Sequence, residues 1–247
     1  MAANWMRRTI MVAACASAAL LAACGSSTTE SAITPQRFIA FGDAMNDVGQ
    51  NGSRYTVNDG SVNNWTLQVV ANYGKSLTPV SAGGLSYATG NARVSAKPDA
   101  AGNASTRTVT EQIDAFLASG SFAATDVVMV SGGVSDVIAG MAAVNAGTLT
   151  QDAMVAAARK AGEDLAAQVR RLVTAGAKYV VVTGTYDLSK TPWAKAIGRE
   201  ALLSNASSRF NEGLLVGIVD LGANVLYVDS AYYVNLYTSV PGNYGFN

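Results

Sequence analysis

The sequence predicts an α/β fold in three layers, with a parallel β-sheet flanked by helices. Two observations lead to this prediction. Short and almost continuously apolar runs recur along the chain, and such runs are typical of strands buried on both faces of a parallel sheet. Stretches with helical spacing alternate with these runs, and a strand-helix-strand succession indicates a layered α/β protein.

Four runs are predicted as strands. Residues 38–41 (FIAF) come first, and they are followed by DVVMVSG from Asp126, KYVVVTG from Lys178 and NVLYVDS from Asn224. In a sheet of this kind, ligands bind beyond the carboxyl ends of the strands. We therefore expect a functional site where the sequences GDAMND and SGGVSD leave the sheet.

Three stretches are predicted as helices. Thr108 and Glu111 form a capping box at the start of TVTEQIDAFLAS. The stretch from Gln151 to Thr174 has apolar residues near a helical period and is followed by Gly176. Residues 194–221 form the third. The positions expected to face the core are Ile113, Phe116, Leu117, Met154, Val155, Ala158, Leu165, Val169, Leu172, Leu203, Phe210, Leu214 and Val219.

Length and charge exclude some classes of function. The 247 residues are 49% apolar, and both Lys plus Arg and Asp plus Glu total 17, which favours one domain with a sizeable core. The body of the chain lacks the basic run that phosphate-backbone binding requires, so we expect no nucleic-acid partner. We expect no metal or other cofactor, because the sequence has no histidine and no calcium-loop spacing. The glycine-rich GGLSYATGNA lacks the Lys-Ser/Thr of a phosphate loop.

The N-terminus predicts export. Residues 1–23 have two arginines before an apolar run that is short for a membrane span, as in a secretory signal peptide. The sequence LAAC, ending at Cys24, resembles the lipobox of bacterial lipoproteins, which implies lipidation of Cys24 and a membrane anchor. Residues 24–36 are then a polar tether. The alternative is an ordinary signal peptide cleaved nearby. Gly25 after the cysteine favours the outer membrane, facing the periplasm or the cell surface.

The turn after the first strand has the form of an active-site turn. In FGDAMNDVG an apolar run ends in Gly-Asp, and Asn46, Asp47 and Gly49 follow as turn formers. Ala44 stands at the apex of this turn and has no nucleophile to offer.

Six stretches, in order, resemble blocks of the GDSL or SGNH hydrolases, particularly the secreted bacterial esterase, lipase and haemolysin-like branch. FGDAMNDVG resembles Phe-Gly-Asp-Ser followed by Ser-Asp-x-Gly, and SYATGNARV (86–94) resembles Asn-Tyr-Ala-x-Gly-Gly-Ala. SGGVSDV (131–137) resembles Gly-Gly-x-Asn-Asp. The later matches are YDLSKTPWA (186–194), RFNEGL (209–214) and VLYVDSAYYVNLYTSVPGNYGFN (225–247). The resemblance implies a flavodoxin-like, SGNH-hydrolase domain over residues 37–247.

The chemistry implied by the resemblance is ester hydrolysis through an acyl-enzyme. A serine attacks, activated by a histidine that an aspartate three residues earlier orients. Backbone N–H groups at the serine and the second-block glycine hold the oxyanion, together with the third-block asparagine. These positions fall on Ala44, Gly90 and Ser135, and only Gly90 keeps the family's residue. We expect the family's Asp-x-x-His block to be missing after Asn247, which would expose apolar surface and leave the chain marginally stable or paired with another copy.

Two acidic residues flank the expected site, and paired carboxylates can perform acid–base catalysis. The favoured interpretation is that Asp43 and Asp136 instead accept backbone N–H groups in tight turns. Asp47 and Asp229 are likewise interpreted as turn and strand-end residues. The aromatic stretch YYVNLY (232–237) is interpreted as core, with a ligand groove as the alternative.

Two functions stay open. The first is a diverged, lipid-anchored relative of ester hydrolases that binds an ester or lipid acyl ligand, and that is inactive or severely impaired because Ala44 replaces the nucleophile. The alternative is an active esterase or lipase of which the present sequence is a truncated or mutated version.

Overall fold

A computed structural model describes residues 31–55 and 59–246 of the chain. The predicted signal peptide, Cys24 and the first part of the predicted tether lie outside the described residues. The chain divides into a unit that ends at Thr34 and a second unit, Pro35–Asn247. The described residues of the first unit form no helix or strand, so the fold below is that of the second.

The described residues contain a four-stranded parallel sheet. Its strands are β1 (Phe38–Phe41), β2 (Val127–Ser131), β3 (Tyr179–Thr183) and β4 (Val225–Val228), and they lie side by side in chain order. Each lies within the run predicted for it. Every residue of β1 and β2 is buried. Because successive side chains of a strand point to opposite faces, both faces of the sheet are covered here.

A further segment extends the sheet beside β1. Ala40 N donates to Leu85 O at 3.1 Å and Tyr87 N donates to Ala40 O at 2.7 Å, so this segment runs parallel to β1 on the edge away from β2. It comes second along the chain, and the order is therefore 2-1-3-4-5, the flavodoxin-like order. The fold predicted from the sequence, an α/β protein with a parallel sheet flanked by helices, is confirmed.

Seven α-helices occur within the described residues. They are α1 (Trp65–Asn72), α2 (Val109–Leu117), α3 (Val134–Asn145), α4 (Gln151–Thr174), α5 (Pro192–Ile197), α6 (Glu200–Ile218) and α7 (Ser230–Ser239). The prediction was right for α2 and α4. Thr108 Oγ1 accepts from Glu111 N and the Glu111 carboxylate accepts from Thr108 N, which is the predicted capping box. Helices α1, α3 and α7 were not predicted.

The third predicted helix, over residues 194–221, is two helices in the structure. Gly198 follows α5 with φ +62°, a left-handed conformation that ends helices. The second helix, α6, stops at Ile218. Val219, predicted as core, follows the helix and is 79% exposed. The prediction failed because apolar spacing continues past both points at which the backbone leaves the helix.

The core lies on both faces of the sheet. Phe41, Phe116 and Phe210 are among its largest fully buried side chains. The other predicted core positions are also buried, except Leu117 and Val155, which are partly buried. The interpretation of residues 232–237 as core is wrong, because α7 contains no buried residue. Among the described residues, no helix is long and apolar enough to cross a membrane.

Candidate active site

Two adjacent strands deliver the candidate site at their carboxyl ends. β1 leads into the turn that contains Ala44, and β2 leads into α3, which carries Ser135. After β1 the chain forms the segment that pairs with one edge of β1, and it later returns to form β2 along the other edge. Ligands of doubly wound α/β sheets bind at this kind of switch point. The sequences GDAMND and SGGVSD therefore leave the sheet at the same place.

The turn begins at Gly42, a position that requires glycine. Its φ is +139°, a backbone conformation that L side chains rarely adopt. A Cβ atom here would also lie 2.6 Å from Ser131 O. The Gln112 amide holds the peptide from both sides, since Gly42 N donates to Gln112 Oε1 at 2.8 Å and Gln112 Nε2 donates to Gly42 O at 3.0 Å.

Asp43 is fully buried beneath the turn. Ser131 Oγ donates to Asp43 Oδ1 at 2.8 Å, and Met45 N donates to the same oxygen at 3.2 Å. Asp43 Oδ2 is buried and has no hydrogen-bond partner among the described residues. Burial raises the pKa of Asp43, and the Ser131 hydrogen bond opposes this shift. Asp43 therefore fixes the turn from inside, where a ligand has no access to it.

Ala44 is held in a single helical turn made by backbone groups. Asn46 N and Asp47 N both donate to Asp43 O at 3.1 Å. Asn46 Nδ2 donates to Phe41 O at 2.9 Å. Ala44 itself is half-buried. None of these bonds uses the side chain at position 44, so the turn keeps its shape whether that residue is serine or alanine.

The Gly90 N–H, predicted by resemblance to be an oxyanion donor, donates to Asp47 Oδ2 at 2.7 Å. The other oxygen of this carboxylate, Oδ1, accepts from Gly49 N and Gln50 N, both at 2.8 Å. The structure thus directs the Gly90 N–H at a buried carboxylate. The Gly90 N–H would have to release its bond to Asp47 before it could donate to a negatively charged oxygen of a ligand.

The residues around Gly90 show why this position favours glycine. The ring of Tyr55 lies against it, at the place that a Cβ atom would occupy. The next residue, Asn91, has φ +65°. Asparagine tolerates this left-handed conformation better than most residues, so Asn91 fits a backbone position that otherwise favours glycine.

Ser135 lies in the first turn of α3 and is 3% exposed. The helix follows Gly133, whose φ is +107°. A Cβ on Gly133 would lie 2.5 Å from the Phe210 ring, so the chain passes very close to α6 at this point. The Ser135 side chain is short and carries a hydroxyl, and an oxyanion role is predicted for this residue by resemblance.

Asp136 links the start of α3 to residues 93–94. Its Oδ2 accepts from Val94 N at 3.0 Å, and its Oδ1 accepts from Arg93 Nε at 3.3 Å. Burial raises the pKa of Asp136 to about 6, although the Val94 N–H and the Arg93 charge act in the opposite direction. Asp136 therefore holds the 93–94 segment against α3.

Three residues that shape the site were not predicted: Gln112, Ser131 and Asn211. Asn211 on α6 accepts from Thr185 N at 2.9 Å and donates to Thr185 O at 2.8 Å, which fixes the segment after β3. Each of the three is a buried polar residue in an element with an apolar buried side. A polar residue at an expected core position is the sequence signal that could have found them.

Of the predicted site residues, the structure places Asp43 and Ala44 in the turn after β1, and Ser135 and Asp136 in the first turn of α3 after the adjacent β2. Gly90 joins them through Asp47, which accepts from Gly90 N and donates its own N–H to Asp43 O. Cys24, the predicted lipidation site, lies outside the described residues. In the described part of the chain, no three acidic or cysteine side chains lie close enough to hold a metal ion.

The family model of the GDSL-like lipases and acylhydrolases matches residues 38–247. This range begins at β1 and contains the whole sheet. No curated protein matches the chain.

Proposed function

The chain belongs to the GDSL-like lipase/acylhydrolase family, and from this premise we propose that it binds an ester or acyl ligand without cleaving it. Family membership supports an ester-hydrolase-like function with a small ester or lipid as the ligand. The further proposals are that the chain does not turn this ligand over and that a lipid holds it in the cell envelope.

The observation that carries this proposal is Ala44 in an otherwise intact nucleophile turn. Formation of an acyl-enzyme needs an oxygen or sulfur nucleophile, and a methyl group provides neither. The hydroxyl that bonds to the turn is that of Ser131 at the end of β2, which is fully buried and donates to Asp43. It is therefore not available to attack a carbonyl carbon.

The oxyanion site supports the same conclusion. The Gly90 N–H is engaged with Asp47, and Ser135 cannot reach as far as the asparagine that the family has at this position. Loss of one such donor lowers turnover by roughly two to three orders of magnitude. The sequence also contains no histidine, so its own residues offer no imidazole as a general base.

The intact turn also keeps the alternative open. Because the backbone bonds around Ala44 are independent of its side chain, a serine at this position would stand on the same turn as in an active esterase. The two functions make opposite predictions for ester turnover and for covalent labelling of the chain.

Binding is tested by isothermal titration of the purified protein with p-nitrophenyl butyrate. Wild type is expected to bind the ester and to return it intact. Ala44→Leu, which adds bulk at the strand ends, is expected to weaken binding roughly tenfold or more, a change of about 1.4 kcal/mol. Ala201→Leu on the exposed side of α6 is the matched control and should bind as wild type does. No binding by wild type, or equal binding by the two variants, would falsify the proposal.

Membrane anchoring is proposed from the sequence LAAC alone. Cells that express the full chain are fed an alkyne-labelled palmitate, and the protein is isolated and examined for the label. Wild type and Cys15→Ser should carry the label, and Cys24→Ser should not. An unlabelled wild type would favour an ordinary cleaved signal peptide.

A further inference from the structure

Five aromatic side chains form a continuous patch at the end of the described chain, here called the C-terminal aromatic surface. They are Tyr232, Tyr233, Tyr237, Tyr244 and Phe246. Tyr237 stands at the centre, with ring centroids at 6.3 Å to Tyr233, 4.8 Å to Tyr244 and 6.1 Å to Phe246, and Tyr232 contacts Tyr233 at 5.4 Å. The five residues are between 37% and 58% exposed. This cluster is packed within itself but open to solvent.

The helix that carries three of these rings has one apolar side. Tyr233, Leu236 and Tyr237 are three and four residues apart or adjacent to one another on this side. Asn235, Thr238 and Ser239 form an uncharged opposite side, and no residue of α7 is buried. A helix that lies on a membrane has a charged polar face, which α7 lacks. These features favour a protein partner over a membrane surface.

The charges of this region favour a second copy as that partner. Residues 221–247 carry one charged side chain, Asp229, and no Lys or Arg follows Arg209 in the sequence. Asp229 caps α7 by accepting from Tyr232 N at 2.9 Å. The surface therefore offers no counter-charge to a strongly acidic or basic partner or to an anionic lipid. Two identical uncharged surfaces can meet across a two-fold axis without repulsion.

Strand β4, which leads directly into α7, has an open edge. It pairs with β3 on one side and with no strand on the other side among the described residues. Leu226 in this strand is 62% exposed. An exposed apolar edge strand presents unpaired N–H and C=O groups that another strand can satisfy, whereas lipid chains cannot.

The exposed aromatic rings supply more than half of the area that a standard interface buries on each partner. At roughly 200 Å² for each aromatic side chain, the five rings expose about 500 Å². A standard protein–protein interface buries about 800 Å² on each partner. Leu226 and Val240, which is 43% exposed, add to the area of the rings.

We propose that the C-terminal aromatic surface packs against the same surface of a second copy of this chain. The interface is independent of the proposed ligand site, since it uses none of the residues at the ends of β1 and β2. A tyrosine lies at the centre of this surface, and tyrosine is enriched among the residues that supply most of the binding energy in protein interfaces.

Photo-crosslinking identifies the occupant of this surface directly. Benzoylphenylalanine is placed at position 233 of the full chain, the protein is irradiated in the cells that express it, and the adduct is identified by mass spectrometry. The proposal predicts an adduct of two copies of this chain. The matched control is position 179, a 37% exposed tyrosine at the opposite end of the sheet, which should give no such adduct. An adduct with a lipid or with another protein, or no adduct, overturns the proposal.

Sedimentation of the purified protein provides the second test. Tyr233→Glu places two like charges at the two-fold contact and should raise the concentration at which dimers form by about tenfold or more. Tyr179→Glu should leave this concentration unchanged. Circular dichroism shows whether both variants keep the fold. A wild type that stays monomeric at every concentration, or equal behaviour of the two variants, contradicts the proposed interface.

Discussion

Ser131 Oγ donates to Asp43 Oδ1 at 2.8 Å, and it thereby joins the carboxyl ends of two neighbouring strands, β1 and β2. Ser131 also accepts from Asp43 N at 3.3 Å. Both side chains are fully buried. This pair of bonds holds the turn around Ala44 against the second strand end, so the site depends on it although neither residue has access to a ligand.

Removal of the Ser131 hydroxyl is expected to destabilise the fold. Ser131→Ala leaves the buried Asp43 carboxyl with one fewer partner, which typically costs about 1–3 kcal/mol. Urea denaturation measures this as a lower free energy of unfolding. Ser208→Ala, at an exposed position of α6, is the control and should change stability little. Equal stability of Ser131→Ala and wild type would show that the pair does not hold the strand ends together.

Asp136 should make the stability of the protein fall as pH rises. Burial raises its pKa from 3.8 to about 6, so between these values the folded state binds more protons than the unfolded state. The contribution of Asp136 to stability is therefore fully present below about pH 4 and is lost as the pH rises through about 6. Asp136→Asn cannot titrate, and wild type should lose roughly 3 kcal/mol relative to this variant between about pH 4 and about pH 7. Urea denaturation across this range tests the prediction, and a difference that is constant with pH contradicts it.

Gly133 should not tolerate a side chain. Its φ of +107° and the Phe210 ring at 2.5 Å from a Cβ position add backbone strain to a steric clash. Gly133→Ala is therefore expected to lower the free energy of unfolding by about 2–4 kcal/mol. Gly222→Ala has no atom within 4 Å of its Cβ and is the matched control, with an expected change within about 0.5 kcal/mol. Similar thermal melts for the two variants would argue against close packing of the β2–α3 connection on α6.

Asp47 should stabilise the loop that carries Gly90. Asp47→Ala removes acceptors for three backbone N–H groups, those of Gly49, Gln50 and Gly90, and about 2–4 kcal/mol of stability is expected to be lost. Asp47→Asn keeps one oxygen acceptor, and its free energy of unfolding should lie between those of Asp47→Ala and wild type. The control is Asp59→Ala, an exposed turn residue that accepts from Ser61 N, and its effect should be the smallest of the three. Chemical denaturation ranks them, and a different order would contradict the assigned role.

The sequence predicted the sheet well because each strand is a short apolar run bounded by turn residues. It predicted α2 from the Thr108–Glu111 capping box and α4 from an uninterrupted helical period. Both signals are local. They act over a few residues and do not depend on what the rest of the chain does.

The contacts of the site that the sequence did not predict join residues that are distant along the chain. The resemblance singles out Gly90, but only the folded chain shows that its N–H donates to Asp47, 43 residues earlier. In the sequence Ser131 is only the end of an apolar strand, and its bond to Asp43 is visible only in the folded chain. The aromatic residues of α7 have the composition of a core, and composition alone does not show whether a partner covers them.

Treatment of the purified protein with p-nitrophenyl butyrate and a serine-reactive fluorophosphonate tests most directly the central claim, that Ala44 ends turnover. Release of p-nitrophenol should equal the uncatalysed background, and mass spectrometry should find no label on the chain. Ala44→Ser, which restores only the hydroxyl, is expected to remain unlabelled because the chain supplies no histidine to activate it. Turnover by wild type together with a covalent label on one of its own residues would contradict the account and establish the chain as an active esterase.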